Sequence, residues 1–168
     1  MILTARKSTY LFILFVICTA IVSCAQETKS SYKILTGADQ TNLYVSKLKG
    51  KRIAIVANQT SVISNGSNYT HLVDSLVSLK LNIQKVFAPE HGFRGKADAG
   101  ESIADGIDAK TGLPLISLYG NNKKPTTAQL KGIDLVIFDI QDVGARFYTY
   151  ISTLHYVMEA CAEKGIPL

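Results

Sequence analysis

The sequence predicts an α/β fold, a parallel sheet with helices on both faces. Three observations carry that expectation. Two of four short strand-like runs, "KRIAIVAN" (51–58) and "IDLVIFDI" (133–140), are continuously apolar at their centres, while "NIQKVFAP" (82–89) and "LPLISLYG" (113–120) are apolar runs broken by Gln84-Lys85 and by Ser117. Strands covered on both faces read that way, whereas half-exposed strands alternate. Helical patterns or long connections separate the runs, as parallel pairing requires. Polar side chains gather where the runs end and not where they begin, and an open parallel sheet binds ligands at its strands' carboxyl ends.

Taken in order, "YKILTGADQ" (32–40) is ambiguous, and the first strand runs over 51–58. Asn65-Gly66 is a turn signal. "THLVDSLVSLK" (70–80) sets Leu72, Val73, Leu76 and Leu79 at helical spacing, with Thr70 as the N-cap. After the second strand comes a long stretch to residue 112 without periodicity, a length that marks a functional loop. "PTTAQLKG" (125–132) reads as a short helix with Pro at its start and Gly past its end. A longer helix is expected over 145–165, with Phe147, Ile151, Leu154, Met158 and Cys161 on its buried stripe and Gly165 just past its end. "IPL" (166–168) opens another apolar run, so a further strand is expected beyond the last residue.

The N-terminus reads as a leader outside the fold. Arg6 and Lys7 precede an apolar run, residues 10–23, that is too short to span a bilayer comfortably. It ends in "IVSC", which resembles a bacterial lipoprotein signal. The expected organisation is a signal peptide over 1–23, Cys24 as the lipidated first residue, a polar tether over 24–33 and the domain over 34–168. An exported protein of the cell envelope, anchored to a membrane through Cys24 and facing the periplasm, follows from that reading. The net charge of +5 falls to +3 when Arg6 and Lys7 leave with the leader, and nothing beyond "KLKGKR" (47–52) forms a basic block, so no nucleic-acid partner is expected. Of the three cysteines only Cys161 would remain in the domain, which excludes a disulfide framework and points to packing.

The strand exits carry Asn58, Gln59 and Thr60; then Pro89, Glu90, His91 and Gly92; then Tyr119; then Asp139, Gln141, Asp142 and Arg146. There is no G-x-G-x-x-G, no G-x-x-x-x-G-K-[ST], no G-x-S-x-G and no zinc spacing, so no cofactor and no metal are expected. Carboxylates remain: Glu90, Asp139 and Asp142, with Asp98 and Glu101 in the long loop. Glycosidic hydrolysis commonly uses one carboxyl as proton donor with a second group opposite. Other roles stay open at this point. Asp139 is equally a turn residue, Asp142 reads first as the N-cap of the last helix, and His71 and His155 read as structural. Arg146, in that helix's first turn, opposes the dipole and so favours an anionic partner. One of Tyr148 and Tyr150 should face the cleft.

"VANQTSV" (56–62), "FAPEHGFRG" (87–95), "TGLPLISLYG" (111–120) and "DLVIFDIQDVGARFYTYISTL" (134–154) resemble the exo-β-N-acetylmuramidase (NamZ, or YbbC-like) family, from about Thr36 to the last residue. The resemblance implies a Rossmann-like domain, here cut off before a second, smaller C-terminal domain. It implies an exo-acting glycoside hydrolase that releases N-acetylmuramic acid from the non-reducing ends of peptidoglycan fragments, a cell-wall recycling activity. Glu90 would be the catalytic acid, with His91, Asp139 or the substrate's acetamido group as the second group. Asn58, Gln59, Arg94, Gln141, Asp142, Arg146 and Tyr148 would line the sugar pocket, Arg146 first and Arg94 second for the lactyl carboxylate. The alternative from another class is a non-catalytic muropeptide-binding lipoprotein, which would keep the pocket and not need Glu90.

Overall fold

The structure, a computed structural model, describes Tyr10, Phe12 and residues 34–95 and 104–168. Contacts divide the chain into Met1–Ile34 and Leu35–Leu168. The leader, Cys24, the tether, Asp98 and Glu101 lie outside the described residues. Among the described residues no helix is long and apolar enough to cross a membrane.

The second unit is an α/β domain. Its elements are α1 (Thr41–Leu48), β1 (Ile53–Ala57), β2 (Val62–Asn65), β3 (Asn68–His71), α2 (Leu72–Ser78), β4 (Ile83–Ala88), β5 (Gly106–Ile107), β6 (Pro114–Ser117), α3 (Thr127–Leu130), β7 (Leu135–Asp139) and α4 (Tyr150–Lys164). The main sheet has the order β5-β6-β4-β1-β7. β6, β4, β1 and β7 run parallel, and the two-residue β5 is antiparallel to β6. The order reverses at β1, which lies between β4 and β7, and such reversals open a crevice at the carboxyl edge. β2 and β3 form a separate hairpin whose turn is at the expected Asn-Gly.

Strand alternation sorts the core into two layers. Ile53, Ile55 and Ala57 of β1 pack with Leu48 of α1 and Leu72, Val73 and Leu76 of α2. Ala54 and Val56 pack on the opposite face with Leu130 of α3 and Val157, Ala160 and Cys161 of α4. All five residues of β1 are buried, which is why its sequence does not alternate.

Four expectations need correction. α1 lies in a stretch where the sequence shows no clear pattern, and only Leu48 of its eight residues is buried. His71, not Thr70, caps α2: its ring accepts the Val73 N–H, while Thr70 belongs to β3. α4 begins at Tyr150, five residues later than expected. Residues 142–148 instead form turns, with Gly144 N–H on Asp142 Oδ1 and Tyr148 N–H on the Ala145 carbonyl. Asp142 therefore closes a local turn and caps no helix. The buried stripe of α4 is Thr153, Val157, Ala160 and Cys161, leaving Phe147, Ile151 and Met158 exposed.

Gly165 ends α4 as expected, at φ 62°, where the left-handed backbone disfavours a side chain. Its N–H reaches the Ala162 carbonyl and that of Ile166 reaches Cys161. The chain then turns beside β7, where Val136 N–H donates to the Pro167 carbonyl at 3.0 Å.

Candidate functional site

Strand register builds the site. β4 and β6 pair Ala88 with Ser117, so Glu90 and Tyr119, each two residues further on, emerge side by side. Thr149, the residue before α4, donates its hydroxyl to Glu90 Oε2 at 2.8 Å. A threonine in that position normally caps its own helix. Here no side-chain cap forms, and the hydroxyl serves the carboxylate instead. The Tyr119 phenol is pushed above its ordinary value by desolvation, then by the Glu90 charge and a hydrogen bond to it. The Thr149 hydroxyl thus fixes the Glu90 carboxylate, with the Tyr119 phenol close enough to feel its charge.

Glu90 stands between two clefts. One, of about 400 Å³, is lined by Glu90, His91, Phe147, Tyr148, Thr149 and Tyr150. Its size suits a small organic ligand. Its aromatic rings offer the apolar faces with polar tips that a sugar's C–H faces and hydroxyls need. The other, of about 160 Å³, lies between Tyr119 and Lys123 on one side and Ser152, Thr153 and Tyr156 of α4 on the other.

The turn carrying Glu90 is closed by Gly92 N–H on the Pro89 carbonyl, and its third residue, His91, has φ 68°. A side chain in that region costs on the order of 1–2 kcal/mol, so glycine would be the comfortable choice. Gly95 at the end of the motif has a different reason. Its φ is +65°, and a Cβ there would meet Gln59 Cγ at 2.9 Å.

Behind the site, "NQTS" (58–61) is a rigid turn. Asn58 is fully buried; its Oδ1 accepts from Thr60 N–H and Oγ1, and Ser61 Oγ accepts the Asn58 N–H while donating to the Asp139 carbonyl. Asn58 Nδ2 has no hydrogen-bond partner of good geometry, although the Tyr150 phenol is close enough to feel it. Burial, with the Asn58 amide opposing it and the charge of Glu90 adding to it, raises the Tyr150 phenol. His71 Nε2 donates to the Asn58 carbonyl at 2.9 Å while Nδ1 accepts from Val73, which fixes a neutral tautomer. Burial lowers its pKa. The ring meets Phe93 edge-on at 4.8 Å, so His71 is scaffold. His155 lies on the exposed face of α4.

The expected site residues separate into groups. Glu90, His91 and Tyr148 share the larger cleft, with Asn58 behind it. Both Tyr148 and Tyr150 line it, where one was expected. Gln59 packs on Gly95, and the Gln141 N–H reaches Thr60 Oγ1 at 3.4 Å. Arg146 and Asp142 are exposed and line neither cleft beside Glu90.

Arg94 does not line the pocket. Its guanidinium is forked by Asp74 and Asp108, with Nη2 at 2.7 Å from each, which ties the motif to α2 and to the segment before β6. Hydrogen bonds from Arg94 hold Asp108 down to about 2, with burial opposing. Asp74 also accepts from Lys110 and is lowered although burial opposes it.

Asp139 lies on the other face. It shares a face of β7 with Ile137, towards α1 and α2, and lines a separate cleft of about 250 Å³ with Tyr44, Leu72 and Leu76. Its Oδ2 is buried without a partner, and burial followed by the charge of Asp39 raises its pKa. Burial and the charges of Asp139 and Asp39 push the Tyr44 phenol up to about 12.

Sequence patterning does not reveal Thr149, Ser152 and Tyr156, which it places in an ordinary helix, or Lys123. Only the equal offset of Glu90 and Tyr119 from their strand partners was a usable signal. Among the described residues no three His, Cys, Asp or Glu side chains gather to hold a metal.

Residues 53–168 match the family described as "Exo-beta-N-acetylmuramidase NamZ, N-terminal". The chain is 47% identical over 143 residues to the peptidoglycan beta-N-acetylmuramidase NamZ of Bacillus subtilis (strain 168), a span of 84% of this chain and 34% of that protein. Two crystal structures of DUF1343 family proteins from Bacteroides fragilis are also similar. One is 43% identical with a TM-score of 0.66, over 80% of this chain and 33% of that one. The other is 38% identical with a TM-score of 0.64, over 75% and 30%. The chain therefore spans about a third of the length of the relatives it matches.

Proposed function

The chain belongs to the family of exo-β-N-acetylmuramidase NamZ N-terminal regions, and from that membership we propose that it carries the catalytic acid of a glycoside hydrolase. The proposed reaction is release of N-acetylmuramic acid from the non-reducing ends of peptidoglycan fragments. The single observation that carries the proposal is Glu90, held by the Thr149 hydroxyl between two clefts at the carboxyl edge of the sheet. A glycosidic oxygen must be protonated as its bond to the sugar breaks, and a carboxyl between the two sides of that bond is placed to do so. The larger cleft would take the sugar that is released, stacked on Tyr148, Phe147 or Tyr150. His91 shares that cleft and is the protein group available for the second role, beside the substrate's own acetamido oxygen. Asp139 opens into another cleft and is not assigned a step.

The test is release of N-acetylmuramic acid from a short glycoside that bears it at the non-reducing end, followed by product chromatography. Release of that sugar alone, one unit at a time, is the expected result. Binding of the glycoside without release would favour a muropeptide-binding protein instead.

We also propose export and lipidation at Cys24. The support is the sequence: Arg6 and Lys7, the apolar run after them, and Ile21-Val22-Ser23 before the cysteine. Metabolic labelling with a radioactive fatty acid should mark the wild type and not Cys24→Ser; equal labelling would contradict the anchor.

A further inference from the structure

The turn behind the larger cleft leaves one donor over. Asn58 is fully buried, and its other polar atoms are all engaged. Its N–H donates to Ser61 Oγ, and its carbonyl accepts from His71 Nε2 and from the Ser61 N–H. Its Oδ1 accepts from the Thr60 N–H at 2.9 Å and from the Thr60 hydroxyl at 2.7 Å. A backbone N–H only donates, so the bond to Thr60 decides which end of the amide is oxygen. Nδ2 must therefore point the other way, and no described residue accepts from it in good geometry. A buried donor left over in this way calls for an explanation. The Tyr150 phenol is within its reach. Tyr150 is the first residue of α4 and lines the larger cleft beside Glu90 and His91. The Asn58 amide pulls the phenol down against the burial that raises it, as a donor facing the phenol oxygen does.

We propose that Asn58 is a positioning residue: its Nδ2 donates to Tyr150 Oη and so turns the phenol's own hydrogen into the larger cleft, where it bonds an acceptor oxygen of the bound sugar. The proposal rests on the reading of that cleft as the sugar's place. A phenol has one hydrogen and accepts as well as donates, so the group facing its oxygen decides which it does. An amide nitrogen accepts nothing, so the hydrogen leaves that side, and the side that remains open is the cleft. Asn58 itself makes no contact with the sugar, although it stands at a strand exit: its oxygen belongs to Thr60 and its nitrogen to Tyr150. The bonds run from Thr60 through Asn58 to Tyr150, and a ligand's oxygen completes the chain. Each bond in such a chain strengthens the next, and a link that is poorly aligned without ligand tightens with it. Phe147 and Tyr148 supply ring faces in this cleft, and Tyr150 supplies direction.

The test titrates N-acetylmuramic acid by calorimetry, at about pH 8, into the wild type, Tyr150→Phe, Asn58→Asp and the double variant. Tyr150→Phe keeps the ring and removes the hydroxyl. Asn58→Asp keeps the oxygen for Thr60 and sets a second oxygen where Nδ2 was, so the phenol turns its hydrogen inward. Each single variant should weaken the sugar by about 3- to 10-fold, the usual worth of a neutral hydrogen bond. The double variant should lose no more than Tyr150→Phe alone. A residue that only held the fold would keep its loss when the hydroxyl is gone. An unchanged affinity in Tyr150→Phe, or losses that multiply in the double variant, overturns the assignment. Thr60→Val, on the exposed side of the turn, makes the same comparison if Asn58→Asp folds poorly. It loosens the amide, and its loss should likewise vanish beside Tyr150→Phe; a loss that is absent or that persists there overturns the assignment. Turnover of the muramyl glycoside separates the two claims. Coupled losses without turnover support the positioning role and remove the hydrolase. Turnover with uncoupled losses removes only the positioning role.

Discussion

Glu90 and Asp139 show how far two carboxylates can differ within one sheet edge. Glu90 is partly exposed and held by the hydroxyl of Thr149, with the Tyr119 phenol beside it. Asp139 has an orphaned buried oxygen and no cation beside it in its cleft. Burial and the charge of Asp39 raise its folded pKa, so the folded state holds its proton longer than the unfolded state does. Its contribution to stability therefore falls as pH rises from about 4 through that raised value. Asp139→Asn should stabilise the protein at pH 7 and remove that downward drift, both measurable by urea unfolding between pH 4 and 7. Turnover should survive the substitution, because Asp139 faces the α1 and α2 side. A loss of turnover in a variant with normal stability would return Asp139 to the reaction. His91 makes the complementary case: its φ of 68° is a backbone cost tolerated where an imidazole is placed in the cleft.

Among the elements, α4 is where structure and sequence part most. Its residues support two helical stripes. Phe147, Ile151, Leu154, Met158 and Cys161 form one, and Thr153, Val157, Ala160 and Cys161 form the other. Hydrophobicity alone favours the first, and the structure buries the second. The late start of the helix decides it, because the turns at 142–148 free Phe147 from helical geometry. The flat layer over Ala54, Val56 and Phe87 then takes the smaller side chains. Val157→Ala should cost about 1.5–3 kcal/mol in chemical denaturation, and the neighbouring Met158→Ala less than about 0.5 kcal/mol. The reverse order would mean that the other stripe is the buried one. β1 and β7 were legible because a short, continuously apolar run bounded by turn residues is what a strand covered on both faces requires, and β4 and β6, whose runs carry polar residues, were legible from their alternation with helices and long connections. The hairpin and α1 were not: the hairpin showed only its turn, and α1 carries one buried residue. Glu90 and His91 were legible as residues that no simple turn requires. Thr149 was not, because a threonine before a helix ordinarily caps it.

For the whole molecule, the motif over 89–95 is fastened by groups that titrate. His71, neutral and half-buried, links the Asn58 turn to α2, and its pKa is lowered, chiefly by desolvation. A histidine depressed on folding contributes stability that is present above its unfolded value, about 6.5, and is lost as pH falls below it. Asp108, at about 2, and Asp74, lowered with it, contribute stability present above about 4 and lost as pH falls through the folded values. On acidification these contributions should therefore be lost in two stages, the first opposed by the gain from protonating Asp139. His71→Asn, which keeps a capping side chain, should remove the first stage and leave the second. An unaltered first stage in that variant would mean another group produces it.

The proposed function makes Glu90 answerable for the chemistry, and Glu90→Gln tests it most directly. The substitution keeps the side chain's size and its acceptor for Thr149 and takes away the transferable proton. Turnover of a non-reducing-end muramyl glycoside should fall by about 10²–10⁴-fold while the variant binds the same glycoside within a few-fold of the wild type. Turnover that survives Glu90→Gln, or a loss of binding equal to the loss of turnover, would contradict Glu90 as the acid.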